Sequence, residues 1–177
     1  LATNRHEDNI ARITETSPDI VFQSLVGSDS VTFNRIFGEE GLSRRILRLS
    51  GAIEENTLMG ITEECSHNLF CVSGYFNTLQ TIENRSFLNE YQKAFGNTAP
   101  IQGCLSQSCY ESLFALSALA ENANSLEPHK LMIFNKNFSY SGARGRVVIK
   151  PDGSYMDTYL MRSNGLEYEL VQGFSAR

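Results

Sequence analysis

The stretch Pro18-Asp-Ile-Val-Phe-Gln-Ser-Leu-Val-Gly-Ser-Asp29 constrains the fold more than any other part of the chain. Its apolar run, Ile20 to Phe22 and then Leu25 and Val26, is short and rich in residues that favour strands. Gly27 ends the run, and Ser28 stands where a helix cap would satisfy the free N–H groups of the next turn. Val31, Phe33, Ile36 and Phe37 follow at helical spacing. Strand, glycine turn and helix start in this order predict an open α/β sheet. At its carboxyl edge a small turn lets backbone approach a ligand, and a helix start offers unpaired donors. The same pattern also serves an ordinary strand-to-helix turn, so both uses stay open at this point.

The rest of the chain continues the alternation. Glu7 to Thr16, with Ile10 and Ile13 on one face, reads as a helix closed by Ser17-Pro18. A helix from Ser28 to Glu40 is stopped by Gly41, and Ile46, Leu47 and Leu49 predict a second strand. A short helix over Glu54 to Met59 and a third strand over Leu69 to Phe76 follow. Phe87, Leu88, Tyr91 and Phe95 mark an amphipathic helix from Ile82 to Gly96. Ser106 to Asn122 is apolar on nearly all sides, which predicts a buried helix, and Leu126 to Asn135 is a third, with Pro128 in its first turn. Beyond Gly142-Ala-Arg-Gly145 the period changes. Val147 to Ile149, Tyr155 to Met161 and Tyr168 to Val171 read as strands around the turns Pro151-Asp-Gly153 and Ser163-Asn-Gly165. The expected fold is α/β: a Rossmann-like parallel sheet with flanking helices, ending in a β meander.

Bulk properties narrow the function. A chain of 177 residues suffices for one domain or pieces of two, and 41% hydrophobic with 20% charged residues is a globular composition. A net charge of −5 argues against a nucleic-acid partner, which demands a basic face. Arg44, Arg45 and Arg48 cluster, and read as solvated surface. No apolar run approaches membrane-spanning length, so no membrane insertion is expected, and no signal peptide is visible at Leu1. Cys65, Cys71, Cys104 and Cys109 match no common zinc spacing. Four cysteines permit two disulfides, and equally permit buried thiols.

Four blocks in order resemble the type I periplasmic-binding-protein superfamily, in the branch of branched-chain amino-acid, urea and short-amide receptors that includes the sensor controlling aliphatic amidase. Pro18 to Gly27 is similar to that branch's strand ending in Val-Gly, and Leu49-Ser-Gly-Ala-Ile-Glu-Glu55 to its Ser/Thr-rich strand end before an acidic helix start. Tyr75-Phe-Asn-Thr-Leu-Gln-Thr-Ile-Glu-Asn-Arg-Ser-Phe87 resembles its crossover. Tyr110 with its helix, and then Gly142 to Gly153, resemble its small-residue helix and final turn. The resemblance implies only the C-terminal half of a two-lobed receptor. Residues 1–74 would belong to the second lobe, the helices of 80–135 to the first, and 140–177 to a returning β segment.

It further implies a non-enzymatic protein, without cofactor or metal, that holds a small polar ligand between the lobes. The ligand would be an amide, urea or a branched-chain amino acid. Importer and regulator are both open, as is a degenerate lobe acting as an interaction module. The implied partners are the missing N-terminal half or a partner subunit, and a membrane permease if the chain serves an importer. The implied place is the periplasm, or the cytoplasm for an amide sensor.

The matching strand ends nominate Leu25, Val26, Gly27 and Ser28, then Ser50, Gly51 and Ala52, and the crossover pair Tyr75 and Phe76. Ser28 and Ser50 would hydrogen-bond an amide or carboxylate, and Tyr75 would give a ring wall and a hydroxyl. As structural residues the serines would be helix caps and Tyr75 core. Ser50-Gly51 replaces the Thr-Thr of the amide-sensor pattern, at the loss of a methyl and a hydroxyl. An enzyme reading rests on Cys71 or Cys65 beside His67, with no orienting Asn or Asp at a recognisable offset. Asn84-Arg-Ser86 and Asn137-Phe-Ser139 match the glycosylation pattern and read as chance matches.

Overall fold

The computed structural model of the chain describes residues 6–135 and 137–176. Helix α1 (Glu7–Thr16) ends where Ser17 enters the left-handed region at φ 44°, ahead of Pro18. Strand β1 (Ile20–Gln23) ends earlier than the apolar run, and helix α2 (Gly27–Glu39) begins directly at Gly27, φ 57°. Val26 is therefore the extended N-cap residue, and no side chain caps this helix. Ser28 falls inside the first turn, which corrects its expected capping role. The chain continues through β2 (Leu47–Ser50), α3 (Glu55–Ile61), β3 (Leu69–Ser73), α4 (Ile82–Phe95), α5 (Cys104–Ala123) and α6 (Pro128–Phe134). It closes with β4 (Phe138–Gly142), β5 (Gly145–Lys150), β6 (Gly153–Tyr155), β7 (Thr158–Asn164) and β8 (Glu167–Phe174).

One five-stranded sheet runs β1-β2-β3-β7-β8. Its first three strands are parallel, with Ile20 opposite Leu47 and Arg48 opposite Leu69. Strand β7 joins β3 antiparallel, Cys71 opposite Met161, and β8 pairs antiparallel with β7. Strands β4-β5-β6 form a separate antiparallel sheet. The expected strand from Tyr155 to Met161 is thus divided. Residues up to Tyr155 close the small sheet, and those from Thr158 on return to the large one.

Two apolar clusters hold the large sheet. Ile10, Phe33, Phe37, Leu42 and Ile46 form one, and Leu58, Ile61, Leu69, Tyr75, Phe76 and Met161 belong to the other. A buried polar group lies against the first cluster, at Arg48, where the sequence pattern predicts solvated surface. Arg48 is fully buried on β2, where Leu47 is exposed, so the strand turns its arginine inward. Its Nη1 donates to Asn34 Oδ1 at 2.6 Å, and its Nη2 to the carbonyls of Cys65 at 2.8 Å and His67 at 2.6 Å. The guanidinium also lies 4.6 Å from the Phe37 ring centre. The side chains of Gln23 and Asn34 exchange hydrogen bonds at 3.1 and 3.0 Å. Burial pulls the Arg48 guanidinium down to about 10.

Helix α5 departs furthest from expectation. Its buried residues are Gln107 and Glu111, whereas Leu113, Phe114 and Leu116 are exposed. A charge network decides this orientation. Arg144, from the tight turn between β4 and β5, sets its Nε 2.7 Å from Glu111 Oε2 and donates its backbone N–H to Glu111 Oε1 at 2.9 Å. Its Nη2 donates to Ser108 Oγ at 2.5 Å and to Gln107 Oε1. A charged pair so enclosed must face protein, so the polar stripe of α5 turns inward and the leucines are left outside.

Candidate functional site

The carboxyl ends of β1, β2 and β3 open on one side of the large sheet, and α5 begins opposite them. Between lies a cavity of about 310 Å³. Its strand-end wall is Val26 and Gly27 after β1, Gly51 to Glu55 after β2, and Cys71, Ser73, Tyr75 and Phe76 from β3 and the turn beyond. Cys104 and Leu105, the first residues of α5, supply the opposite wall, and Thr57 of α3 also contributes. Gly27 suits its place because its left-handed backbone opens on free space, where a Cβ added to it would meet no neighbour within 4 Å.

Of the nominated residues, Val26, Gly27, Gly51, Ala52, Tyr75 and Phe76 come together on this cavity. Leu25 does not. It lines a separate hollow with His6, Asp29 and Phe33. Ser28 is exposed on α2 and Ser50 is buried, and neither is among the lining residues. The Ser50 hydroxyl accepts the N–H of Ala52 at 3.1 Å, which shapes the turn after β2.

Tyr75 presents less than expected. It is 1% exposed, and its hydroxyl donates to Asn84 Oδ1 at 2.9 Å. Asn84 in turn donates to the carbonyls of Asn77 and Leu79 at 2.9 and 2.8 Å. The hydroxyl thus ties the crossover to α4, and burial, with Glu55 nearby, holds it well above the ordinary phenol range. The same network consumes Asn84, a fully buried residue that cannot serve as a sugar acceptor.

Sequence reasoning missed the two acidic residues of the wall. Glu54 Oε1 accepts the N–H of Leu105 at 2.8 Å, and Glu55 Oε1 accepts that of Asn77 at 2.5 Å. Glu55 is 1% exposed, and burial raises its carboxyl above the usual carboxylate range, with Glu54 adding to the effect. The pair was legible only as an acidic helix start. Nothing local links it to Cys104 and Leu105, about fifty positions on. No Lys, Arg or His is among the described residues lining the cavity.

The four cysteines are free thiols. Cys71 sits in the cavity wall, yet burial pushes its thiol up to about 12, which disfavours the nucleophilic thiolate. Among the described residues no cluster of three or more His, Cys, Asp or Glu could hold a metal ion, and no helix is long and apolar enough to cross a membrane.

Solved structures share this fold at low identity. An amino-acid ABC transporter substrate-binding protein from Pseudomonas fluorescens Pf-5 superposes with a TM-score of 0.82 at 14% identity, over 100% of this chain and 50% of its own. A solute-binding protein of an ABC transporter from Rhodopseudomonas palustris HaA2, in complex with p-hydroxybenzoic acid, gives 0.82 at 20% identity, over 99% and 50%. A leucine-binding protein from Thermotoga maritima gives 0.77 at 14%, over 98% and 49%. The chain therefore spans about half the length of these structures. No curated protein sequence matches it. The family profile described as periplasmic binding protein matches residues 1–164.

Proposed function

The chain belongs to the periplasmic binding protein family, and from that premise we propose that it supplies half of a ligand-binding cleft in the substrate-binding component of an ABC importer. The observation that carries this reading is the cavity itself, where three parallel strand ends and the start of a distant helix meet around about 310 Å³. In this reading β1–β3 with β7 and β8 form the second lobe, and α4–α6 with β4–β6 belong to the first. A complementary N-terminal half completes both lobes and covers the exposed apolar residues of β1 and α5, among them Phe22, Leu113 and Leu116. A membrane permease is the next partner, and the place of work is the periplasm.

The proposed ligand is small and polar, of the amide, urea or branched-chain amino-acid type. Val26, Ile53, Phe76 and Leu105 supply apolar contact, and Ser73, Thr57 and the glutamates supply hydrogen bonds. A wall with two glutamates and no cation favours a ligand that donates N–H groups over one recognised by its carboxylate alone.

A thermal-melt screen tests this, run on the chain with and without the upstream half of its gene product. The probes are acetamide, urea, leucine and 4-hydroxybenzoate. Binding confined to the native state stabilises by mass action, about 2.7 kcal/mol at a hundred times Kd. The expected result is a ligand-specific rise that requires both halves. A flat screen with both halves folded overturns the reading and leaves the fold as a module that docks a partner protein.

A further inference from the structure

We propose that Glu54 is a latch that fastens the helical wall of the cavity to its strand-end wall. Its role in ligand access rests on the binding reading above, but the contact stands on its own geometry. Glu54 is the extended residue before α3, at the end of the turn from β2. Leu105 is the second residue of α5, and its N–H has no carbonyl partner within that helix. The Glu54 carboxylate accepts this N–H at 2.8 Å, across a separation of 51 residues. Asn56 Nδ2 approaches the Ile101 carbonyl at 3.4 Å beside it. These bonds join the wall built from β2 to the wall built from α5.

Gly103 is shaped to this contact. A Cβ there would collide with Glu54 Oε2 and lie 3.1 Å from Glu54 Cβ. Its backbone, at φ −102°, is one that alanine adopts without strain, so a Cβ here would displace the seated carboxylate without straining the turn. The amide of Gly103 is already held by Ser106 Oγ at 3.1 Å, which leaves Leu105 as the point where α5 is tied to the other wall. Cys104 lies between these two residues, half-buried and lining the cavity, with the buried Cys71 across from it on β3. Both thiols already line the cavity, and when the latch opens they gain exposure to solvent.

The thiols make the test independent of any ligand. The full chain, Glu54→Ala and Gly103→Ala are alkylated with iodoacetamide, and each cysteine is followed by peptide mass spectrometry. Breaking the latch should speed modification of Cys71 and Cys104 about tenfold, the factor expected for one lost charge-assisted hydrogen bond at a half-exposed position. Cys109, which is exposed, and Cys65, which lies away from the cavity, should keep their rates. Gly103→Ala retains the carboxylate, so a rise shared by both variants reports opening and not a change in local charge. Unchanged rates at Cys71 and Cys104 overturn the proposal. So does a rise at all four cysteines, which means general loosening, or a rise confined to Glu54→Ala, which means electrostatics alone. A failed latch leaves the melt screen untouched, and a flat melt screen leaves the latch standing.

Discussion

Replacing Glu111 by glutamine should destabilise the chain by about 3–5 kcal/mol, the cost of leaving a buried charge without its partner. Glutamine keeps the shape and can still accept the backbone N–H of Arg144, so the loss isolates the charge. The structure places this change at the severe end. The side chains of Glu111 and Arg144 are 1% and 9% exposed, so water cannot screen the orphaned guanidinium. Its remaining partners are Ser108 Oγ, Gln107 Oε1 and, at 3.4 Å, Met156 Sδ, all neutral. Removing both charges as Glu111→Leu with Arg144→Met should cost less, about 2–3 kcal/mol, because a buried ion pair replaced by apolar groups is close to neutral, while Gln107 and Ser108 lose a donor and the backbone N–H of Arg144 loses its acceptor. The assay is urea unfolding of Glu111→Gln, of Glu111→Leu and Arg144→Met made singly, and of that double, with the m-value checked for constancy. A cost below about 1 kcal/mol for Glu111→Gln, or single costs that simply add in the double, refutes the argument that this pair orients α5.

Two further outcomes test the site. Tyr75→Phe should lose about 1–3 kcal/mol by leaving Asn84 Oδ1 without its donor, while any ligand-induced rise in Tm stays the same; a diminished rise would return the hydroxyl to the ligand site. Glu55 has a raised carboxyl pKa in the folded chain, so its protonated form favours folding. That contribution is complete below the ordinary carboxylate pKa of about 4.3 and is lost as pH climbs through the raised value. Glu55→Gln should therefore flatten the fall in stability above that pH in urea melts from about pH 4 to 8, and an unchanged slope would refute the assignment.

Local signals in this chain proved reliable where a residue's role depends on its near neighbours. The proline at 18 and the glycines at 27 and 96 mark real boundaries, because their backbone preferences act within a turn. The strand-end residues Val26, Gly27, Gly51 and Ala52, with Tyr75 and Phe76, were legible as one edge because parallel strands in sequence bring their carboxyl ends to one side. Leu25 and Ser28 miss the cavity through a helix that begins directly at Gly27, a detail that the sequence pattern leaves open.

Sequence alone therefore determined the alternation of strands and helices and the edge of the sheet at which the cavity opens. Tertiary structure decided which polar groups are inside. Arg48 looks like a surface residue until Asn34 and the carbonyls of Cys65 and His67 surround it, and α5 looks like a core helix until Arg144 claims its polar face. The reason is physical. Hydrophobic periodicity reports burial averaged over an element, whereas a buried charge is admitted only where specific donors and acceptors from distant segments converge on it. Glu54 and Leu105 meet in the same way, and a contact across 51 residues leaves no trace in either neighbourhood.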